Sequence, residues 1–244
     1  MTVDLAPGYR ELPAPRALRD VVACFWVRVT ATPGEVWIVP DGCSDVVWER
    51  GAGTTVVGPD TSAKLVDRAA GDLMVGMRLA PGAGGAVLGV PLDELRDQRV
   101  DVADVNRAFA VDAERSPADV PASFASSAAG LAPDPIVAAA ARRVAERDIR
   151  EVARELALSE RQLRRRFHAA AGYGPKTLAR VLRFRRFVAA VDAGRSDLAA
   201  LAFEAGYADQ SHLSRESTRL AGLPPLALIA RRRDGRETGS SPVL

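Results

Sequence analysis

Arg161, Arg164, Arg165 and His168 recur at i, i+3, i+4 and i+7, a spacing that puts all four on one face of an α-helix. Leu163, Phe167 and Ala170 fall on the opposite face. A guanidinium donates in a planar fork that matches phosphate oxygens or the O6/N7 edge of guanine, and the Gln162 amide can pair with adenine N6/N7. The chemistry open to this face is polyanion recognition: a helix packed by its back and Arg-rich on its front can lie in a DNA major groove. One such stripe could equally be a solvated surface. A second stretch of the same plan carries Ser211, His212, Arg215 and Arg219, and two in tandem favour the recognition reading.

The elements that must position these residues repeat as well. Residues 149–172 and 198–222 each read as a short amphipathic helix, a tight turn and a second helix. Ser159 is the expected N-cap of the first polar helix, with Gln162 completing a capping box. Residues 172–175 (GYGP) end that helix and start another, because Pro is tolerated at a first helical position. The new helix, residues 175–192, carries apolar residues around much of its circumference and spans about 27 Å at 1.5 Å per residue. Ser196 or Asp197 caps the next helix, Asp209 precedes the second polar helix at 210–221, and a last short helix covers 226–233.

Charge divides the chain in the same way. The net charge of +2 hides 12 Lys and Arg against 19 Asp and Glu in residues 1–140, and 20 against 10 in residues 141–233. A basic C-terminal module beside an acidic N-terminal one implies that only the former meets a polyanion. Two cysteines, Cys24 and Cys43, and two distant histidines offer no spacing for a structural zinc site, and the cysteines read as small buried residues. No metal or cofactor is expected. Without a signal segment or an apolar run of about 18 residues, a cytoplasmic protein with no membrane partner is expected.

The N-terminal half reads as short strands broken by Gly and Pro, at residues 21–29, 35–39, 45–48, 54–58, 63–66 and 73–79, with a further candidate at 86–88. Pro40-Asp41-Gly42-Cys43 reads as a hairpin turn using Gly42 at positive φ, with Asp41 and Asp45 shaping it. Brief helices are expected at 92–96 and 102–109. The expected architecture is α+β: a small N-terminal β-barrel or sandwich domain, and an all-α C-terminal domain of two helix-turn-helix subdomains joined by a central helix. Boundaries fall at 1–115 for the β-rich domain, 116–134 for an Ala/Ser/Pro-rich linker with a short helix around 118–129, 135–233 for the helical domain and 234–244 for a disordered tail. Trp26, Trp37, Trp48 and Arg78 are candidates for an effector pocket, an aromatic lining with one cation; tryptophans in the core and a salt-bridged Arg78 are the competing arrangement.

Leu163-x-Arg165-x-Phe167, Gly172-x-x-Pro175 and residues 202–215 (AFEAGYADQSHLSR), with Leu163 and Leu213 separated by 50 residues, resemble the AraC/XylS family of transcription regulators over about residues 135–233. The resemblance implies two recognition helices in successive major grooves about 34 Å apart. Base-edge contacts would come from Arg161, Gln162, Arg164, Arg165 and His168 in the first helix, and from Ser211, His212 and Arg215 in the second. Ser159, Lys176 and Arg219 would meet phosphates. Cys24-Phe25-Trp26, residues 39–45 (VPDGCSD), Val57-Gly58-Pro59 and residues 75–82 (VGMRLAPG) resemble an uncharacterised, cupin-like domain found ahead of such modules, which implies sensing of a small-molecule effector or homodimerisation. The family's partners, double-stranded promoter DNA and RNA polymerase, follow as expectations for a non-enzymatic activator or repressor. Where the family has Phe four residues after the second Leu, this chain has Ser217; a looser second subdomain is expected, with Leu220 or Phe203 filling the gap. The alternative is a ligand-binding protein whose DNA-binding module has weakened. An alkylation-repair enzyme with a related helix pair would need a four-thiolate metal site that two cysteines cannot build.

Overall fold

The computed structural model describes residues 4–233. Eight strands come first: β1 (Gly8–Pro13), β2 (Val22–Val29), β3 (Gly34–Ile38), β4 (Ser44–Glu49), β5 (Gly53–Val57), β6 (Lys64–Arg68), β7 (Leu73–Leu79) and β8 (Arg99–Asp101). Six of them form an antiparallel sheet in the order β1-β2-β7-β4-β5-β8, and β3 pairs with β6 in a separate sheet. The large sheet is not closed into a barrel. Phe25, Val27, Val75 and Met77 send one face into the main core, where Trp48, Leu92 and Phe109 join them. Cys24, Trp26, Val47 and Met74 form a smaller cluster on the other face. Trp26 lies directly across from Gly76, and a Cβ there would sit 2.0 Å from the indole, so glycine makes the room that the ring occupies.

Three expectations change here. Residues 40–43 do not close a hairpin, because β3 pairs with β6 and β4 with β5 and β7; Gly42 (φ 88°) instead turns the chain from one sheet to the other. The candidate strand at 86–88 lies in a helix, α1 (Gly84–Leu88). β1 and β8, which the periodicity did not single out, extend the two ends of the large sheet. Within residues 116–134, helix α2 (Val120–Ala128) packs Val120, Phe124 and Ala128 into the main core.

The C-terminal half is helical: α3 (Pro135–Ala141), α4 (Ile149–Glu155), α5 (Glu160–Ala171), α6 (Pro175–Asp192), α7 (Leu198–Ala205), α8 (Gln210–Ala221) and α9 (Pro225–Arg233). Helix α6 serves two cores. Leu178 and Ala179 pack with Val137, Val152, Leu163 and Phe167, whereas Phe184, Phe187 and Val191 pack with Leu201, Leu213 and Leu228. That division is why its apolar residues run most of the way round.

The two halves are in close contact along the helical domain. Gly85 of α1 lies against α5 so tightly that a Cβ would come within 2.2 Å of the Ala169 carbonyl oxygen. The turn at Gly42 meets Leu178 and Leu182 of α6. Further along, the Ala63 amide donates to the Leu220 carbonyl of α8 at 2.8 Å, Arg231 of α9 stands over the Trp37 ring at 4.5 Å, and Val39 is part of the second helical core. The N-terminal half thus touches both helix-turn-helix subdomains and the helix between them.

Candidate nucleic-acid interface

The first polar helix, α5, starts from a capping box. The Ser159 hydroxyl accepts the Gln162 amide, and the Gln162 side chain accepts the Ser159 amide at 2.9 Å. Two of the N–H groups orphaned at a helix start are satisfied in this way. Gln162 Oε1 also accepts from Ser159 Oγ at 2.8 Å, so that side chain is folded back on the cap with its NH2 group left to donate. Leu163 and Phe167 are fully buried behind the helix. Arg161, Gln162, Arg164 and Arg165 are exposed on its front, and His168 is half-buried.

Ion pairs hold some of the arginines of the helical half. Off the front, Arg166 reaches Asp134 at 2.5 Å, Arg147 reaches Glu155 at 2.6 Å, and Arg150 reaches Glu160 at 3.2 Å. Arg161, Arg164, Arg165 and Lys176 form no ion pair among the described residues. Their donors are solvated and available, which a phosphate or base edge requires.

The second polar helix, α8, is built on the same lines. Asp209 caps it by accepting the His212 amide at 2.6 Å, and Leu213 and Leu220 are buried behind it. Ser211, Arg215 and Arg219 are exposed, and the arginines again lack ion pairs among the described residues. His212 is half-buried with its ring edge-on to Tyr207 at 5.2 Å, and Arg183 of α6 stands over the same tyrosine at 5.8 Å.

Residues 152–231 match a helix-turn-helix domain family, and residues 10–101 match a domain of unknown function, DUF6597. No curated protein matches the chain. Among solved structures, ToxT from Vibrio cholerae O395 aligns over 84% of this chain and 97% of its own, at 10% identity and a TM-score of 0.47. ToxT from Vibrio cholerae strain SCE256 with bound unsaturated fatty acid aligns over 82% and 88%, at 10% identity and a TM-score of 0.41.

In this helix-turn-helix domain Ser217 is fully buried, and its hydroxyl donates to the Leu223 carbonyl at 2.7 Å. Leu220 is buried nearby, but Phe203, expected as a possible filler, is 83% exposed. The aromatic is replaced by a hydrogen bond within the subdomain, and Val39 with Trp37 adds apolar contact from the N-terminal half.

The four pocket candidates are separated. Trp26 and Arg78 line one cavity of about 70 Å³ with Arg28, Val47, Arg68 and Met74, room for about two waters. Trp48 is a correction: it is buried on the opposite face of the sheet, donating from Nε1 to the Asp112 carbonyl at 2.8 Å. Trp37 is also a correction, since it lies against Arg231 of α9 rather than in the cavity. Arg78 is both cavity wall and ion-pair centre. It lies 3.1 Å from Glu11, 3.2 Å from Asp41 and 3.3 Å from Asp45. Burial pushes the Asp45 carboxyl up, opposed by Arg78. Cys24 and Cys43 are free and buried. Among the described residues no group of His, Cys, Asp or Glu is placed to hold a metal ion, and no helix is long and apolar enough to cross a membrane.

Proposed function

We propose that the chain is a sequence-specific, non-enzymatic regulator of transcription that reads two major-groove segments with α5 and α8. The observation carrying this reading is the pair of capped helices whose apolar backs are buried while Arg161, Arg164, Arg165, Arg215 and Arg219 stay exposed on their fronts without ion pairs among the described residues. Arg161, Arg164 and Arg165 read bases, His168 flanks them, and Gln162 contributes its NH2 as donor only. Ser211, His212 and Arg215 read the second segment. Helix-start amides outside the Ser159–Gln162 box, with Lys176 and Arg219, hold phosphates. The bound protein acts on a promoter by recruiting or blocking RNA polymerase. The cavity lined by Trp26 and Arg78 is the candidate site for a small effector, and dimerisation through the N-terminal half would double the number of DNA segments read.

Arg165→Ala is the direct test. Genomic fragments selected by the full chain define its sites, and binding to those and to random duplex is then compared. The variant should lose about 1–3 kcal/mol of discrimination. An unchanged affinity ratio between selected and random DNA would remove Arg165 from the list of readers.

A further inference from the structure

We propose that the DNA interface extends onto the N-terminal domain through Arg96, which holds a backbone phosphate beside the first recognition helix; this rests on reading α5 as a DNA reader. Arg96 lines a groove of about 240 Å³ together with Arg164 and His168 of α5 and Lys176 at the start of α6. These side chains come from two domains and converge on one strip of surface. The single acid lining the groove, Glu160, is already paired with Arg150. Asp93 and Glu94, on the 3-10 turn Leu92–Leu95 just before Arg96, do not line it. Arg96 itself is exposed and has no hydrogen-bond or ion-pair partner among the described residues.

The backbone on both sides of Arg96 is fixed. Before it, the Leu95 carbonyl oxygen lies where a Cβ on Gly58 would stand, only 1.7 Å away. After it, Asp97 takes a positive φ of 60°, and its carboxylate accepts the Thr61 amide at 2.7 Å and the Thr61 hydroxyl at 2.8 Å. A non-glycine residue held in the left-handed region costs free energy that the surroundings must offset, and such positions gather where a side chain has to be aimed. The turn is also seated on α5 itself: a Cβ on Gly172 at the end of α5 would meet the Leu92 carbonyl oxygen at 3.1 Å. A duplex strand following the Arg164–His168 flank of α5 passes Lys176 on one side and Arg96 on the other. The occupant is a DNA phosphate, because the groove is an open continuation of the arginine front.

The measurement is the salt dependence of binding by the full chain, using fragments it selects from genomic DNA and a random duplex of equal length. Arg96→Ala should weaken binding to both by roughly threefold to tenfold, without altering their ratio, and should reduce the slope of log K against log salt by about 0.9. Arg96→Lys should restore most of the slope. Arg16→Ala, an exposed arginine elsewhere on the same domain, removes the same charge and should leave the slope unchanged. Equal behaviour of the Arg96 and Arg16 variants overturns this inference while Arg165→Ala still loses discrimination. Competition by inorganic phosphate at millimolar levels that Arg96→Ala abolishes, with an unchanged DNA slope, makes it a small-anion site and overturns the inference too. Failure of the unmodified chain to bind duplex in a salt-dependent way defeats the underlying reading as well.

Discussion

Arg180 of α6 holds Glu216 of α8 at two points, Nε to Oε2 at 2.7 Å and Nη2 to Oε1 at 3.0 Å. Both side chains are largely shielded, 25% and 13% exposed. A bidentate pair has a fixed geometry as well as an energy, so it sets the angle of α8 against the central helix. Glu216→Ala strands a partly buried guanidinium. We expect a loss of about 2 kcal/mol in thermal unfolding, and a DNA footprint that weakens first over one of its two major-groove segments. A variant that melts with the wild type and leaves a symmetric footprint would show the pair to be dispensable.

Ser217 gives a second prediction. Ser217→Ala leaves the buried Leu223 carbonyl without its donor and should cost about 1 kcal/mol. Ser217→Phe supplies the aromatic that the resemblance to AraC/XylS regulators implies here but adds bulk to a filled site, with an expected cost of about 1–3 kcal/mol. Denaturant titration checks both. Stabilisation by the phenylalanine would reveal an unfilled void behind α8.

The Arg78 cluster predicts a larger effect. Removing the guanidinium leaves Glu11, Asp41 and Asp45 facing one another with little water between them. Arg78→Ala should destabilise by about 3–5 kcal/mol, and lowering the pH, which protonates the stranded carboxyls, should recover part of that loss. A penalty independent of pH would mean that packing rather than charge holds the cluster.

Asp60 titrates in the opposite sense from a paired carboxylate. It is 8% exposed, and burial raises its pKa to about 6 against the attraction of Arg99 and Lys64. A carboxyl raised on folding binds its proton more tightly in the native state, so its stabilisation is complete below the unfolded pKa of about 3.9 and is lost as pH rises to 6. Above that, a buried anion is a net cost. Asp60→Asn should therefore stabilise at pH 7.5, by up to about 2 kcal/mol, and the gain should vanish near pH 4. Melting curves across that range decide it; a pH-independent difference would reject the titration.

Gly85→Ala tests the seam between the halves. The added methyl must displace the Ala169 carbonyl, which is backbone and cannot swing aside. Hydrogen exchange should quicken in α1 and the last turn of α5, while β2 and β7 keep their protection. Unaltered protection at α5 would show that the contact is loose.

Helix boundaries in the C-terminal half were legible because several independent signals coincide there. The 3.6-residue period, the Ser159–Gln162 box, Pro175 and the glycines after α5, α7 and α8 all give the same limits, and α6, α7 and α8 run as the pattern predicts. Strands β2 to β7 were legible one by one, since β-branched runs bounded by Gly and Pro need no knowledge of partners, whereas β1 and β8 lack that local pattern. The pairing was not legible. Whether residues 40–43 close a hairpin or cross between sheets depends on which distant strand, β6 or β7, takes each neighbour, a long-range choice absent from local pattern. For the same reason the tryptophans could be counted but not oriented. Trp26 and Trp48 sit on opposite faces of the large sheet, and Trp37 meets a helix nearly two hundred residues later. Arg96 gives no local signal, because it lies in an acidic half and joins the front of α5 only through folding.

The Ala63–Leu220 hydrogen bond and the insertion of Val39 into the second helical core mean that the helical half is not a detachable unit. A chimera that kept residues 135–233 and exchanged everything upstream would inherit a gap where valine sat and an amide-less carbonyl on α8. Modular shuffling, easy for beads on a string, would here demand that the donor half bring a matching plug.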